Sequence, residues 1–382
     1  MTVAYLYVDN DKTLQTAIEH IKLAERVAVD IEADSLHNYN EKVCLIQITT
    51  NGENFIIDPF AKMDLRKLLN LLKKKPLIFH GGDYDLRMLY HTYQFKPEAP
   101  VFDTKIAAQF MGMDQLGLAT VIKELYNIKI DKAHQTSDWS KRPLSPTQLQ
   151  YACLDTHFLH EIAEHYESKL KRKKRFDWYV ETCERIAIAA IENHDNNGHK
   201  DPWRIKGYSK LHPGQLRYLK EVWQWREETA QKRDIPPFKV MRNEVMLLIS
   251  KWAFHNPFRS VKRFRNLPKK LTDEEISSLR ETIRKGKDVP KDQWPSQYRK
   301  VEKHRRSPSN KAIVAELKEK IEKKAKKMGL STSTLITSRC IDKISRCCPV
   351  NEQELRENTN MYEWQISLMS KTIFSVVKKN TR

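Results

Sequence analysis

Two carboxylates lie one residue apart at the end of an apolar run near the start of the chain. The run is Val27-Ala-Val-Asp30-Ile-Glu32. Because successive side chains of a strand alternate between its faces, a strand here places Asp30 and Glu32 on the same face. Like charges at this spacing repel each other unless a cation lies between them. The pair therefore indicates a metal site or, taken alone, a strand that ends in a solvated acidic turn.

A third carboxylate follows a later predicted strand, Leu77-Ile-Phe-His80. Gly81 and Gly82 allow a sharp turn there, and Asp85 then falls in the first turn of a predicted helix. The helix dipole favours an acid at that position, so Asp85 alone is equally well explained as helix-start chemistry. Asp103, at the end of the next short strand, is expected to cap a helix or to support the site.

The clearest helix start in the sequence lies before Tyr151 and Asp155. Ser145 is a favourable N-cap, Pro146 suits the first helical position, and Gln148 completes a capping box. Tyr151 and Asp155 are four residues apart and therefore share one face of this helix. That spacing is compatible with catalysis and equally with a buried hydrogen bond from the tyrosine to the aspartate.

The elements around these residues predict a mixed α/β sheet. Apolar strands are predicted at 27–32, 43–48 and 55–58, and Asn51-Gly52 forms a tight hairpin between the last two. Helices then alternate with the strands at 77–80 and 101–103. In such sheets, functional side chains gather at strand ends. Four carboxylates without a ligating cysteine suit hard divalent ions, magnesium or manganese.

In this order, the D-x-E, H-x4-D and Y-x3-D motifs resemble the 3′–5′ exonuclease family that has four invariant acids, in its tyrosine subclass. The resemblance implies a ribonuclease H-like fold and two bound metal ions, without an organic cofactor. By that resemblance, Asp30 bridges both ions, Glu32 and Asp155 hold the ion on the nucleophile side, and Asp85 serves the other. Tyr151 is then expected to orient the attacking water.

Within that family the local sequence is similar to ribonuclease D. The matching segments are Leu45-Ile-Gln-Ile, Ile57-Asp-Pro, Phe79-His-Gly, Phe102-Asp-Thr and Asp138-Trp-Ser-Lys-Arg-Pro-Leu. One position departs from the pattern, because Ala33 stands where many members have an aromatic residue that contacts the terminal base. Leu36, His37 and Tyr39 are the alternatives for that contact.

The charge of the chain is divided unevenly. Residues 1–160 contain 18 Lys and Arg against 20 Asp and Glu, whereas the remainder contains 50 against 29. A basic half of this kind is typical of proteins that bind nucleic acid or, less often, an anionic membrane surface. The six cysteines show no zinc-binding spacing. No secretory signal or membrane-spanning run is predicted, so we expect a cytoplasmic protein.

The pattern of helices and linkers divides the chain into five parts. We predict an exonuclease domain at 1–170, a connector at 171–207, a helical domain at 208–288, a linker at 289–309 and a second helical domain at 310–378. Both all-α domains resemble the HRDC domain shared by RecQ-type helicases and ribonuclease D. We also expect the exonuclease domain to fold when the chain is cut after about residue 206.

The resemblance implies a 3′–5′ exoribonuclease that trims structured RNA precursors, particularly tRNA, at single-stranded 3′ ends and releases 5′-mononucleotides. A single-strand DNA 3′–5′ exonuclease that acts with a helicase uses the same chemistry. A third alternative is an inactive RNA-binding scaffold. The sequence does not distinguish RNA from DNA, since that discrimination depends on contacts to the 2′-hydroxyl.

Overall fold

The computed structural model describes residues 2–131, 133–195, 201–296 and 310–381. Contacts divide these residues into two compact units. Unit 1 contains the described residues of Met1–Glu32, Val43–His194 and Arg305–Arg382. Unit 2 contains those of Ala33–Lys42 and Asp195–His304. No helix in the described part of the chain is long and apolar enough to cross a membrane.

Unit 1 is built on a six-stranded mixed sheet, which confirms the predicted fold class. The strands are β1 Leu6–Val8, β2 Val27–Ala33, β3 Val43–Thr50, β4 Glu53–Ile57, β5 Leu77–Phe79 and β6 Val101–Asp103. Their order across the sheet is β1-β4-β3-β2-β5-β6. Strands β3 and β4 are antiparallel, whereas β5 pairs in parallel with both β2 and β6. The short edge strand β1 was not predicted.

The described residues up to Asp195 form eight helices. They are α1 Asp11–Leu23, α2 Arg66–Lys73, α3 Asp83–Tyr93, α4 Thr104–Met111, α5 Leu118–Tyr126, α6 Pro146–His157, α7 Leu159–Arg172 and α8 Phe176–Asp195. Helix α8 occupies much of the segment 171–207 that was predicted as a connector. The helix packs against the sheet domain, because Tyr179 and Cys183 are buried and the Tyr179 hydroxyl accepts a hydrogen bond from the Asp103 amide (2.7 Å).

Unit 2 contains an all-α core. Its helices are α9 Pro213–Arg233, α10 Pro237–Val240, α11 Asn243–His255 and α12 Asp273–Asp288. Leu216, Leu219 and Trp225 of α9 are buried in this core. A capping box at Thr272 begins α12. Arg242 is the N-cap of α11, and the side chain of the next residue, Asn243, accepts a hydrogen bond from Arg226 (2.7 Å).

The C-terminal helices belong to unit 1. They are α13 Lys311–Met328, α14 Thr332–Leu335, α15 Ser338–Cys347, α16 Glu352–Asn358 and α17 Glu363–Asn380. The part of the predicted linker at 297–309 lies outside the described residues. The predicted domain boundaries as a whole stay a prediction.

These helices share one apolar core with the sheet domain. The Trp364 ring stacks on Trp178 of α8, with ring centroids 4.9 Å apart, and meets the ring of Phe110 at 5.5 Å. The Arg175 guanidinium donates hydrogen bonds to the carbonyls of Phe110 and Met328. The structure therefore argues against our expectation that the exonuclease domain folds after a cut near residue 206, because that cut would expose this shared core.

Candidate active site

Strand β2 presents the two acids of the D-x-E motif. Val27, Ala28 and Val29 are buried, and β2 lies between β3 and β5 within the sheet, so its course is fixed on both sides. Asp30 and Glu32 are only partly buried. Each offers a carboxylate oxygen to a cluster with Asp155 in which all three oxygens lie within 4.8 Å of one another. The structure thus brings together three of the four predicted acids.

Helix α6 supplies Asp155 and Tyr151. The predicted capping box is present, because the Ser145 hydroxyl accepts from the Gln148 amide (3.2 Å) and the Gln148 side chain accepts from the Ser145 amide (3.0 Å). The Tyr151 hydroxyl forms no hydrogen bond with Asp155 or any other described residue. The alternative of a buried tyrosine–aspartate hydrogen bond therefore has no support in this structure.

Asp85 is buried beside the cluster rather than within it. Its carboxylate accepts a hydrogen bond from the Ile31 amide of β2 (3.0 Å), between the two acids of the motif. Asp103 supports this arrangement from β6. Its carboxylate caps α4, as predicted, and also accepts from the amides of Gly81 (2.9 Å) and Gly82 (3.0 Å). Asp103 therefore fixes the turn from which Asp85 is presented.

Asp30, Glu32, Asp155 and Tyr151 line one cavity of about 310 Å³, which we call the carboxylate cavity, whereas Asp85 is not among its lining residues. Its remaining lining residues come mainly from the turn after β5, the start of α4 and the segments on either side of α5. They are Ile31, His80, Lys105, Leu116, Gly117, Leu118, Ala119, Ile130, Asp131 and Gln135. Sequence reasoning assigned no role to Lys105 or Gln135, although Lys105 directly follows the recognised Phe102-Asp-Thr segment.

Burial and mutual repulsion raise the pKa of all four predicted acids. Burial, followed by the charge of Asp85, raises the pKa of Asp155 to about 8. Burial and then the Asp155 charge raise the pKa of Asp30, and burial and then Asp30 raise that of Glu32 and of Asp85. A divalent cation bound to these oxygens would relieve the repulsion, and an all-oxygen donor set suits magnesium or manganese.

Tyr151 and His80 are uncharged near neutral pH. Burial, and then the charge of Asp155, raise the pKa of the Tyr151 phenol well above its usual range. Burial lowers the pKa of His80 to about 4. The His80 Nε2 donates to the Leu116 carbonyl (2.8 Å), and its Nδ1 lies 2.8 Å from the Thr104 hydroxyl. His80 thus ties the turn after β5 to the segment that leads into α5.

None of the four candidates for contact with the terminal base, Ala33, Leu36, His37 and Tyr39, is among the described residues that line the carboxylate cavity. Tyr39 packs against the core of unit 2, where its amide donates to the Asp234 carboxylate (3.2 Å).

Comparison with known proteins identifies relatives of this chain. A model described as 3′–5′ exonuclease matches residues 5–171, and an HRDC domain model matches residues 215–254. The chain is 26% identical over 340 residues to the ribonuclease D of Nitrobacter hamburgensis, with 87% of each chain covered. It is 32% identical over 257 residues to the ribonuclease D of Zymomonas mobilis, covering 66% of this chain and 64% of that protein.

Solved structures agree with these matches at the level of the fold. The crystal structure of Escherichia coli RNase D has a TM-score of 0.72 to this chain, at 21% identity, and covers 99% of both chains. The fold and the family models together define a 3′–5′ exonuclease domain combined with HRDC-type helices. The chain is a 3′–5′ exoribonuclease that is similar to ribonuclease D over most of its length.

Proposed function

We propose that this chain uses two divalent metal ions, magnesium or manganese, to remove 5′-mononucleotides from the 3′ end of RNA. The observation that carries the proposal is the cluster of Asp30, Glu32 and Asp155 oxygens within 4.8 Å, in one cavity with Tyr151. An inactive scaffold would have no need to hold partly buried acids against their mutual repulsion.

The acids and Tyr151 have different roles in the proposed hydrolysis. When bound, the two ions activate the attacking water and stabilise the leaving 3′ oxygen. The two ions would be held by carboxylate oxygens of Asp30, Glu32 and Asp155. Asp85, whose carboxylate accepts a hydrogen bond from the Ile31 amide, would be the fourth ligand. Tyr151 keeps its proton because its pKa is raised, so it positions the attacking water and does not act as a base.

We further propose that the substrates are structured RNA precursors, tRNA in particular. The support is the excess of 50 Lys and Arg over 29 Asp and Glu after residue 160, which suits a sugar–phosphate backbone gripped without reading its bases. The Escherichia coli protein of similar fold is described as an exoribonuclease involved in structured RNA processing.

Substitution of Asp30 tests the metal site. Asp30→Asn is expected to lose nearly all hydrolysis while RNA binding is largely retained, because loss of metal-ion catalysis costs several kcal/mol. The measurements are single-turnover cleavage and fluorescence anisotropy with labelled single-stranded RNA. Retention of more than about a tenth of the activity would exclude the bridging role of Asp30.

The end at which degradation begins tests the polarity. A labelled RNA with a blocked 3′ end should resist degradation, whereas a blocked 5′ end should have no effect. Matched RNA and DNA strands, each with magnesium or manganese, then measure the preference for sugar and metal. Rapid internal cleavage of a circular RNA would contradict an exonuclease.

A further inference from the structure

Lys105 is the only lysine or arginine among the described residues that line the carboxylate cavity. It lies in the first turn of α4, two residues after the Asp103 cap. Its stem runs along the bare backbone of Gly81, where an added Cβ would lie only 2.9 Å from the Lys105 Cδ and 3.1 Å from its Nζ. The absence of a side chain at Gly81 therefore provides the room through which the ammonium reaches the cavity.

The Lys105 ammonium has no partner in the part of the chain that the structure describes. A lysine near several carboxylates ordinarily forms an ion pair with one of them. Here the oxygens of Asp30, Glu32 and Asp155 cluster with one another, and none of them lies within ion-pair distance of Lys105. The carboxylates thus remain available for cations, and the ammonium remains available for an anion.

We propose that Lys105 binds a backbone phosphate of the RNA, the one on the 5′ side of the scissile phosphate. This inference rests on the proposed 3′–5′ hydrolysis, because at a 3′ terminus every other phosphate lies to the 5′ side. The scissile phosphate belongs over the carboxylate cluster, and Lys105 lines the same cavity without forming an ion pair with that cluster. A lysine suits this purpose as a point charge that makes no demand on phosphate orientation.

Binding measured over a range of salt concentrations tests the contact. Labelled single-stranded RNA is titrated with the full chain carrying Asp30→Asn, so that hydrolysis does not interfere. Each phosphate contact on a single strand contributes about 0.7 to the slope of log affinity against log salt. Lys105→Gln should lower the slope by about that amount, and Lys105→Arg should restore it. Lys67→Gln removes an exposed lysine of α2, away from the cavity, and should leave the slope unchanged.

Short substrates identify which phosphate is bound. A dinucleoside monophosphate contains only the scissile phosphate, whereas a trinucleotide also contains its 5′ neighbour. In the chain with Asp30 intact, Lys105→Gln should raise KM about two- to fivefold for the trinucleotide, as expected for one exposed charge contact, with a clearly smaller effect on the dinucleotide. An equal loss on both substrates, carried by kcat, would assign Lys105 to the scissile phosphate and overturn the proposal.

A purely structural role for Lys105 gives a different result. Lys105→Gln would then lower the melting temperature and leave the salt slope at its wild-type value, which would also overturn the proposal. Failure of the proposed function is distinguishable, because it would appear as an unmodified chain that does not shorten RNA from the 3′ end. The salt slope can be measured in either case, since binding requires no turnover.

Discussion

The four predicted acids differ in how firmly their carboxylates are held. Asp85 is tied to the Ile31 amide of β2, whereas Asp30, Glu32 and Asp155 direct their oxygens towards one another. The converging oxygens of Asp30, Glu32 and Asp155 are suited to binding a cation. The hydrogen bond of Asp85 to the Ile31 amide also fixes the strand that presents Asp30 and Glu32. At this scale the sequence motif predicted the residue types, but only the structure separates the anchored acid from the converging ones.

Tyr151 is the residue at which catalysis and packing are most clearly separable. Its hydroxyl has no hydrogen-bond partner among the described residues, so Tyr151→Phe should remove only the proposed contact with the attacking water. We expect the single-turnover rate to fall about 10²–10⁴-fold, the usual contribution of a positioned proton-handling group, with the melting temperature nearly unchanged.

Tyr166→Phe is the matched control for Tyr151→Phe. The buried Tyr166 lies on the neighbouring helix α7 and donates its hydroxyl hydrogen to the sulfur of Met113, which follows α4 (3.0 Å). Its loss should lower stability by about 1 kcal/mol while the cleavage rate is unchanged. A Tyr151→Phe chain that melts earlier yet cleaves at the wild-type rate would show that Tyr151 has only a packing role.

Helix α6 carries two of the proposed catalytic residues, Tyr151 and Asp155, and its position depends on the loop before it. The Arg142 guanidinium contacts both Asp58 oxygens (2.6 and 2.7 Å) and donates to the carbonyls of Trp139 (2.8 Å) and Cys44 (2.7 Å). These bonds attach the segment that leads into the Ser145 cap to β3 and to the residue after β4. Arg142 thereby helps to position Tyr151, although it lies outside the carboxylate cavity.

Arg142→Gln should destabilise the protein in a pH-dependent way. Burial by itself raises the pKa of Asp58, but the hydrogen bonds from Arg142 and Tyr7 outweigh it and lower the pKa overall. A lowered folded-state pKa gives stability that is present above the unfolded value near 4 and is lost as the pH falls below it.

The expected loss for Arg142→Gln at pH 7 is about 1–3 kcal/mol of unfolding free energy, since the buried Asp58 loses its arginine partner. The difference in unfolding free energy between Arg142→Gln and the wild type should become smaller below pH 4. Denaturant unfolding at pH 7 and pH 3 measures both values. Lys141→Gln removes a neighbouring exposed ion pair and should cost less than about 1 kcal/mol. A loss that is equal at both pH values would contradict the linkage to Asp58.

Local sequence signals predicted the elements that depend on neighbouring residues. The Ser145 capping box, the Asn51-Gly52 hairpin and the Asp103 cap all involve residues a few positions apart, so the chemistry that forms them is visible in the sequence. The sequence assigned no role to Lys105 or Arg142, because the residues that they contact, Gly81 and Asp58, are distant in the chain. Periodicity identifies which side chains of a helix are buried, but it contains no information about what they are buried against.

At the scale of the whole molecule, the exonuclease sheet and the C-terminal helices form one unit. The carboxylate of Glu181 on α8 accepts hydrogen bonds from the amides of Glu363 (2.6 Å) and Trp364 (3.1 Å) at the start of α17. The indole of Trp364 donates to the Thr182 hydroxyl (3.2 Å) and its ring is buried. This junction is both apolar and hydrogen-bonded, which is typical of a permanent contact rather than a transient one.

Trp364→Ala should therefore loosen the exonuclease part of unit 1. Truncation of a buried tryptophan costs about 3–5 kcal/mol, and amide hydrogen exchange in α4 and α8 should accelerate. Trp225→Ala is the control, because Trp225 is similarly buried in the core of unit 2. It should accelerate exchange in α9 and α11 only. Exchange in α4 and α8 that is unaffected by Trp364→Ala would mean that the shared core contributes little to their stability.

The shared core also has a consequence for synthesis of the protein on the ribosome. Phe110 and Trp178 emerge early, but the ring that covers them belongs to Trp364. At about 5–20 residues per second, translation from the end of α8 to α17 takes on the order of 10–40 s. During that interval the nascent exonuclease sheet presents an uncovered apolar face, which is a natural binding surface for a chaperone. The growing chain would thus acquire its fully stable RNA-degrading form only after most of its own message has been read.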